Sequence, residues 1–126
     1  EVEEFGLVSI REARVAYETT DLRAKLGRHH ADVDSAFRGW NDIWLSPDFL
    51  SWSIESLLPD VHCPVLAIQG VDDQYGTMEH IDGIARVLPA TRLLKLDACG
   101  HSPHRDQPEQ VIDATVEFLR GLRRAG

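Results

Sequence analysis

The fold is decided by one stretch of ten residues, Pro64-Val65-Leu66-Ala67-Ile68-Gln69-Gly70-Val71-Asp72-Asp73. A short, continuous apolar run between a proline and a glycine is typical of a strand that is buried on both faces. Strands of this kind occur in parallel sheets, whose two faces are covered by helices. The stretch therefore predicts an α/β fold in which residues 64–68 form a strand.

The residues after this strand continue an α/β pattern. Apolar residues recur at helical spacing from Met78 to Leu88 and stop before Pro89, so a helix is predicted there. A second strand is predicted over residues 93–96, and a terminal helix over residues 111–122. A strand, a helix, a strand and a helix in succession indicate two parallel strands joined by a right-handed crossover.

The first part of the chain has helical patterns instead. Apolar residues follow helical spacing over residues 7–17, 22–26 and 33–44. The strongest of these stripes, over residues 33–44, places Trp40 and Trp44 on one helix face. We therefore expect a helical segment to precede the α/β part.

Composition excludes several classes of function. The net charge of -8 argues against binding of nucleic acid, which needs lysine and arginine to neutralise phosphates. No apolar run approaches the ~18 residues of a membrane span, and the acidic start is unlike a signal peptide. Two cysteines are too few for a disulfide scaffold, so we expect reduced thiols in a cytoplasmic protein.

Two residues that can act together in catalysis follow the two predicted strands. Asp73 follows the first strand and His101 follows the second. Active-site groups of an open parallel sheet collect beyond the carboxyl ends of its strands, so we expect these side chains to meet. A carboxylate in this position fixes the tautomer of the imidazole and stabilises the imidazolium formed in general-base catalysis.

Neighbouring residues offer alternatives to this pair. Asp72 is a second candidate for the acid, or it caps the following turn. His101 and His104 beside two aspartates resemble a metal site, but a catalytic zinc ion normally takes three placed protein ligands and prefers nitrogen or sulfur. We therefore predict no metal and expect His104 to order its loop or to pack against the last helix.

Both motifs resemble those of the α/β-hydrolase family. The stretch from Pro64 to Asp73 is similar to the strand that carries the catalytic acid there, with the acid three residues after the glycine. The stretch Cys99-Gly100-His101-Ser102-Pro103-His104, followed by Gln107-Pro108-Glu109, is similar to the loop that carries the catalytic histidine. The resemblance implies hydrolysis of a carboxylic ester or similar acyl bond in a small-molecule substrate, without a metal or organic cofactor. It assigns Asp73 and His101 to the catalytic triad.

The resemblance extends to the helical segment and divides the chain into two parts. Residues 7–58 resemble the helical lid that many family members insert before the acid-bearing strand, and their aromatic run is similar to bacterial esterase- and haloperoxidase-like members. Residues 1–58 are then a lid segment, and residues 59–126 the C-terminal part of the hydrolase core. Trp40 and Trp44 are expected to line the substrate pocket, with packing in the core as the alternative.

One departure from the family pattern concerns the nucleophile. The family order is nucleophile, acid, histidine, yet no Gly-x-Ser-x-Gly motif occurs in this sequence. We therefore expect the chain to be inactive alone and to need the N-terminal half of the same hydrolase, or a self-association partner. Two parallel strands also lack the neighbours that a stable parallel sheet requires.

Three alternatives to ester hydrolysis by a hydrolase fragment remain open at this point. Another chemistry of the same fold, such as haloperoxidase-like perhydrolysis or C–C bond hydrolysis, would use the same acid and histidine. A non-catalytic fragment acting in assembly would use the exposed edge of the sheet. The third alternative is a small self-contained helical domain with a two-stranded ribbon, which would need neither the acid and histidine nor the exposed edge of the sheet.

Overall fold

A computed structural model describes residues 2–125 of the chain. These residues form two compact units, one ending at Ser53 and the other beginning at Ile54. The first unit is helical and contains α1 (Glu4–Thr19), α2 (Leu22–Leu26), α3 (Val33–Trp44) and a 3-10 turn (Pro47–Phe49). The second contains a 3-10 helix (Glu55–Asp60), β1 (Leu66–Gly70), α4 (Glu79–Val87), β2 (Arg92–Leu96), α5 (Pro103–Asp106) and α6 (Pro108–Ala125).

The first unit is built on the packing of α1 against α3. Tyr17 of α1 and Phe37 of α3 are buried and stack with their ring centroids 3.8 Å apart. Asn41 is fully buried between these helices: its Nδ2 donates to the Ile10 carbonyl at 2.8 Å, and its Oδ1 accepts from Arg14 Nε at 2.8 Å. The interior of this unit therefore combines an aromatic stack with one satisfied buried amide.

The second unit has the predicted strand–helix–strand–helix order. β1 and β2 pair in parallel, with Leu66 opposite Arg92 and Gly70 opposite Leu96. The first strand begins two residues later than the sequence suggested, because Pro64 has no N–H to donate to a partner strand. α4 provides the crossover and contacts both strands, while α6 packs on β1.

Two short elements of the second unit were not predicted. The 3-10 helix Glu55–Asp60 contains Pro59 and contacts α4. The helix α5 begins with Pro103, directly after the loop that carries His101. Both are single turns whose apolar residues are too few to show a periodicity.

Part of the surface of the second unit is apolar. Residues 2–125 supply only two strands to its sheet. One side of α6 exposes a row of apolar side chains three or four positions apart, namely Ile112, Val116, Leu119 and Leu122. None of the helices between residues 2 and 125 is long and apolar enough to cross a membrane.

The buried amide of the first unit gives a matched test of what stabilises it. Arg14 donates to Asn41 from Nε and to exposed Asp42 from Nη2 at 2.7 Å. We expect Asn41→Ala to lower the free energy of unfolding by about 2 kcal/mol, since it leaves buried polar groups without partners. The control Asp42→Ala removes only a surface ion pair and should cost less than about 1 kcal/mol.

Urea unfolding followed by tryptophan fluorescence measures this difference. All three tryptophans of the chain, Trp40, Trp44 and Trp52, lie in the first unit, so the signal reports on that unit. Equal midpoints for the two variants would show that Asn41 contributes no more than a surface contact.

Candidate active site

The two predicted triad residues lie in contact within the second unit. Nδ1 of His101 is 3.0 Å from both carboxylate oxygens of Asp73. The Asp73 side chain is 9% exposed, whereas that of His101 is 58% exposed. A buried carboxylate thus holds one nitrogen of an imidazole whose ring is open to another reactant.

Asp73 is fixed by the turn that follows β1. Its Oδ1 accepts from the backbone N–H of Tyr75 at 2.9 Å, a bond that closes an Asx turn. Its Oδ2 lies 3.4 Å from Nε2 of Gln69. The carboxylate therefore faces the backbone amide of Tyr75, the side-chain amide of Gln69 and the imidazole of His101.

The loops that carry the pair are joined beyond the ends of the strands. The backbone N–H of Val71 donates to the Leu96 carbonyl at 2.8 Å, and that of Asp72 donates to the Cys99 carbonyl at 2.9 Å. Gly70 makes this approach possible, because a Cβ at that position would lie 2.1 Å from the Cys99 oxygen and 2.4 Å from the Gly100 oxygen. No side chain can occupy that space without a backbone shift.

Cys99 lies beside the pair and is unsuited to act as a nucleophile. It is 1% exposed. Burial raises the pKa of its thiol, and the carboxylates of Asp106, Asp72 and Asp73 raise it further. Because the thiolate is the nucleophilic form, this cysteine is held in its unreactive state.

The other candidate residues of the site, Asp72 and His104, are more exposed than Asp73. Asp72 is exposed, and it is the Asp73 carboxylate that His101 contacts. His104 is exposed on α5. Within residues 2–125, no three His, Cys, Asp or Glu side chains are grouped closely enough to hold a metal ion.

One aromatic ring contacts the candidate pair, and two other aromatic residues were assigned to the substrate pocket from the sequence. The Tyr75 ring meets the His101 ring edge-on, with centroids 4.9 Å apart. Trp40 and Trp44 lie on α3 in the first unit, where Trp40 contacts Phe37 edge-on at 5.7 Å and Trp44 contacts Phe49 edge-on at 5.2 Å. Both tryptophans are half-buried within that unit, and their place in a substrate pocket stays a prediction.

Sequence reasoning missed the polar side chains that support the pair. Gln69 is 7% exposed, and Nε2 of Gln107 and Oδ2 of Asp106 bond to the backbone of the His101 loop. The sequence carried one signal for the first of these, a glutamine in an otherwise apolar strand. Such a residue is buried only when its amide finds partners.

Proteins of known structure or described activity are similar to this chain. No protein-family model matches it. Over 64 residues it is 34% identical to the pimeloyl-[acyl-carrier protein] methyl ester esterase of Aromatoleum aromaticum, a match that covers 51% of this chain and 26% of that protein. A bacterial membrane phospholipase A structure superposes with a TM-score of 0.59 at 26% identity, covering 71% of this chain and 28% of that chain. The chain is thus similar to an esterase and to a phospholipase, and this similarity supports the α/β-hydrolase family predicted from the sequence.

A further solved structure agrees with this fold. A thermophilic esterase from Thermogutta terrifontis superposes with a TM-score of 0.53 at 20% identity, over 94% of this chain and 51% of that chain. The chain therefore spans about a quarter of the curated relative's length and at most about half of these structures. Its acid and histidine lie where open α/β sheets collect active-site groups, beyond the carboxyl ends of the strands.

Because the His101 loop lies so close to Gly70, we expect a single added methyl group at this position to lower the stability of the second unit strongly. Gly70→Ala should destabilise the second unit by about 2 kcal/mol or more, because the clash is with backbone atoms of the His101 loop. Gly121→Ala is the matched control, since a Cβ there meets nothing within 4 Å and should stabilise α6 by about 0.5 kcal/mol. Thermal unfolding followed by circular dichroism compares the two. A wild-type melting temperature for Gly70→Ala would contradict the packing described here.

The environment of Cys99 predicts a pH-dependent labelling pattern. In the Cys63→Ser variant, only the buried thiol remains for reaction with Ellman's reagent. At about pH 8 this thiol should react at least tenfold more slowly than exposed Cys63 does in the wild type, since burial keeps Cys99 protonated. Its labelling rate should rise only at higher pH, as the thiolate forms. Equal rates for the two cysteines would show that Cys99 is neither buried nor raised in pKa.

Proposed function

We propose that this chain is the C-terminal part of an α/β-hydrolase that hydrolyses carboxylic esters, and that it supplies the catalytic acid and base. The observation that carries the proposal is the contact of buried Asp73 with exposed His101. The nucleophile is proposed to lie on another stretch of polypeptide, because the sequence contains no Gly-x-Ser-x-Gly motif.

The geometry supports separate roles for His101 and Asp73 during ester cleavage. Nδ1–H of His101 donates to Asp73, which leaves Nε2 to take the proton of a serine hydroxyl as its oxygen attacks the ester carbonyl. Asp73 stabilises the imidazolium, and Nε2 returns the proton to the departing alcohol. Water then attacks the acyl-serine while His101 takes its proton, and His101 passes that proton to the departing serine oxygen as the carboxylic acid is released.

The similar proteins support esters as the substrate class. The curated relative is described as a methyl ester esterase, and one of the similar structures is described as an esterase. We propose that the substrate is a small ester-like molecule and that Trp40 and Trp44 line its pocket from a lid formed by residues 1–58. The two free cysteines suit a reducing compartment, so we place the hydrolase in the cytoplasm.

The surface of the second unit supports a partner polypeptide. A parallel sheet needs neighbouring strands, and two strands alone leave its edges unpaired. Beside the apolar row of α6 lies a surface depression of about 500 Å³ whose lining includes Val116, Phe118 and Leu122. We propose that the N-terminal half of the same hydrolase pairs with the sheet and covers this surface.

Reconstitution tests the proposal. The chain is co-expressed with the N-terminal part of the Aromatoleum aromaticum relative, up to the start of the matching region, and the pair is assayed with p-nitrophenyl acetate. We expect hydrolysis by the complex, reduced at least about 10³-fold by His101→Ala because the serine loses its base. His104→Ala, an exposed histidine of the following helix, should leave the rate within about twofold.

Four outcomes would count against the proposal or a part of it. A folded complex without hydrolysis would remove the ester-hydrolase assignment, and equal rates for the two histidine variants would remove His101 from the mechanism. Hydrolysis by the chain alone that His101→Ala abolishes would show that no second polypeptide is needed. Self-association of the chain, seen by analytical ultracentrifugation, would replace the N-terminal half with a second copy as the partner.

A further inference from the structure

Gln69 ties down the loop that carries the acid. Its side chain is 7% exposed, and its Nε2 donates to the carbonyls of Gly76 at 2.9 Å and Thr77 at 3.1 Å. The same nitrogen lies 3.4 Å from the Asp73 carboxylate. One side-chain amide thus spans both ends of the turn from residue 73 to residue 77.

The cost of burying this amide points to a role beyond stability. Among residues 2–125, Oε1 of Gln69 is buried and has no hydrogen-bond partner. A buried polar atom without a partner is destabilising, and an apolar side chain in the strand would avoid that cost. The reverse orientation of the amide is excluded, because it would turn Oε1 toward three other oxygens. The function of Gln69 in this strand is therefore to donate hydrogen bonds from Nε2 to the loop that carries Asp73.

Gln107 does the same for the loop that carries the histidine. Its Nε2 donates to the carbonyls of Asp97 at 3.1 Å and Ala98 at 3.2 Å. Its Oε1 accepts from Gln110 at 2.9 Å, which fixes the direction of the amide. Ala98 has a φ of 50°, a left-handed conformation that costs a non-glycine residue about 1 kcal/mol and persists only where the surroundings enforce it.

A third bond completes the support of this loop. Oδ2 of Asp106 accepts from the backbone N–H of Gly100 at 2.9 Å, next to His101. The residues immediately before His101 are thus held by the side chains of Asp106 and Gln107, at and just after the end of α5. This matters because more than half of the His101 side chain is exposed, so packing alone does not hold the ring in place.

We propose that Gln69 and Gln107 are positioning residues that bring Asp73 and His101 into register, each by tying the carbonyls of one loop. Small displacements are enough to break such a pair, since a catalytic constellation must be held within about 0.5 Å of its productive geometry. The catalytic consequence rests on the proposed function. The structural consequence, the pairing of the two side chains, does not.

The tautomer of His101 reports on this pairing directly. A carboxylate that accepts from Nδ1 favours the Nδ1–H form of the neutral imidazole, whereas free histidine favours Nε2–H. Ring ¹⁵N chemical shifts, recorded at alkaline pH on the full chain, give the ratio of the two forms. We expect Gln69→Met and Gln107→Met each to lower the Nδ1–H to Nε2–H ratio about fivefold, the effect of losing about one hydrogen bond.

Controls separate positioning from general stability. Gln74→Met changes an exposed glutamine of the same turn and should leave the ratio unchanged. In an Asp73→Asn background, Gln69→Met should produce no further change in the ratio, because it acts through the carboxylate. Melting temperatures identify the folded variants, and Gln107→Met, on a half-buried residue, carries the test if Gln69→Met does not fold.

The proposal is overturned if folded Gln107→Met has the wild-type tautomer ratio, and if Gln69→Met, provided that it folds, has that ratio too. A ratio that changes equally with and without the Asp73 carboxylate would also overturn it, since the glutamine would then act elsewhere. The measurement needs no hydrolysis. A failure to reconstitute esterase activity therefore leaves it valid, and the two proposals can fail separately.

Discussion

The backbone hydrogen bond from Asp72 to the Cys99 carbonyl, made just past the ends of β1 and β2, sets the spacing on which the site depends. It brings two loops together although 28 residues separate Asp73 from His101. Gly70 permits the approach, because any Cβ would collide with the Cys99 and Gly100 carbonyls. A constraint on one glycine thus decides whether an acid and an imidazole can meet.

The two loops that approach each other here are held by hydrogen bonds from side chains rather than by apolar packing. Beyond a strand end there are few apolar neighbours, so backbone carbonyls must find donors among side chains. Gln69 and Gln107 supply those donors on the two sides of the pair. Cys99, which is buried, stays a neutral thiol because burial raises its pKa. In the proposed site, His101 is then the exposed imidazole and Asp73 is the buried carboxylate that contacts it.

The main features of the second unit could be predicted from its sequence. Apolar runs beside Gly70 and around Leu94 have the short length and the flanking residues typical of buried strands, and parallel topology then places Asp73 next to His101. What the sequence could not show are features set by partners distant in the chain. The strand register, the left-handed Ala98 and the bonds of Gln107 depend on which backbone groups lie nearby, and no local pattern encodes that.

The tautomer of His101 in the wild-type chain, compared with Asp73→Asn, tests most directly whether the two side chains act as an acid–base pair. Ring ¹⁵N chemical shifts show which nitrogen carries the proton of the neutral imidazole. We expect Nδ1–H in the wild type and a change to Nε2–H in Asp73→Asn, because only the carboxylate is an obligate acceptor for Nδ1. An Nε2–H form in the wild type, or the same tautomer in both proteins, would contradict it.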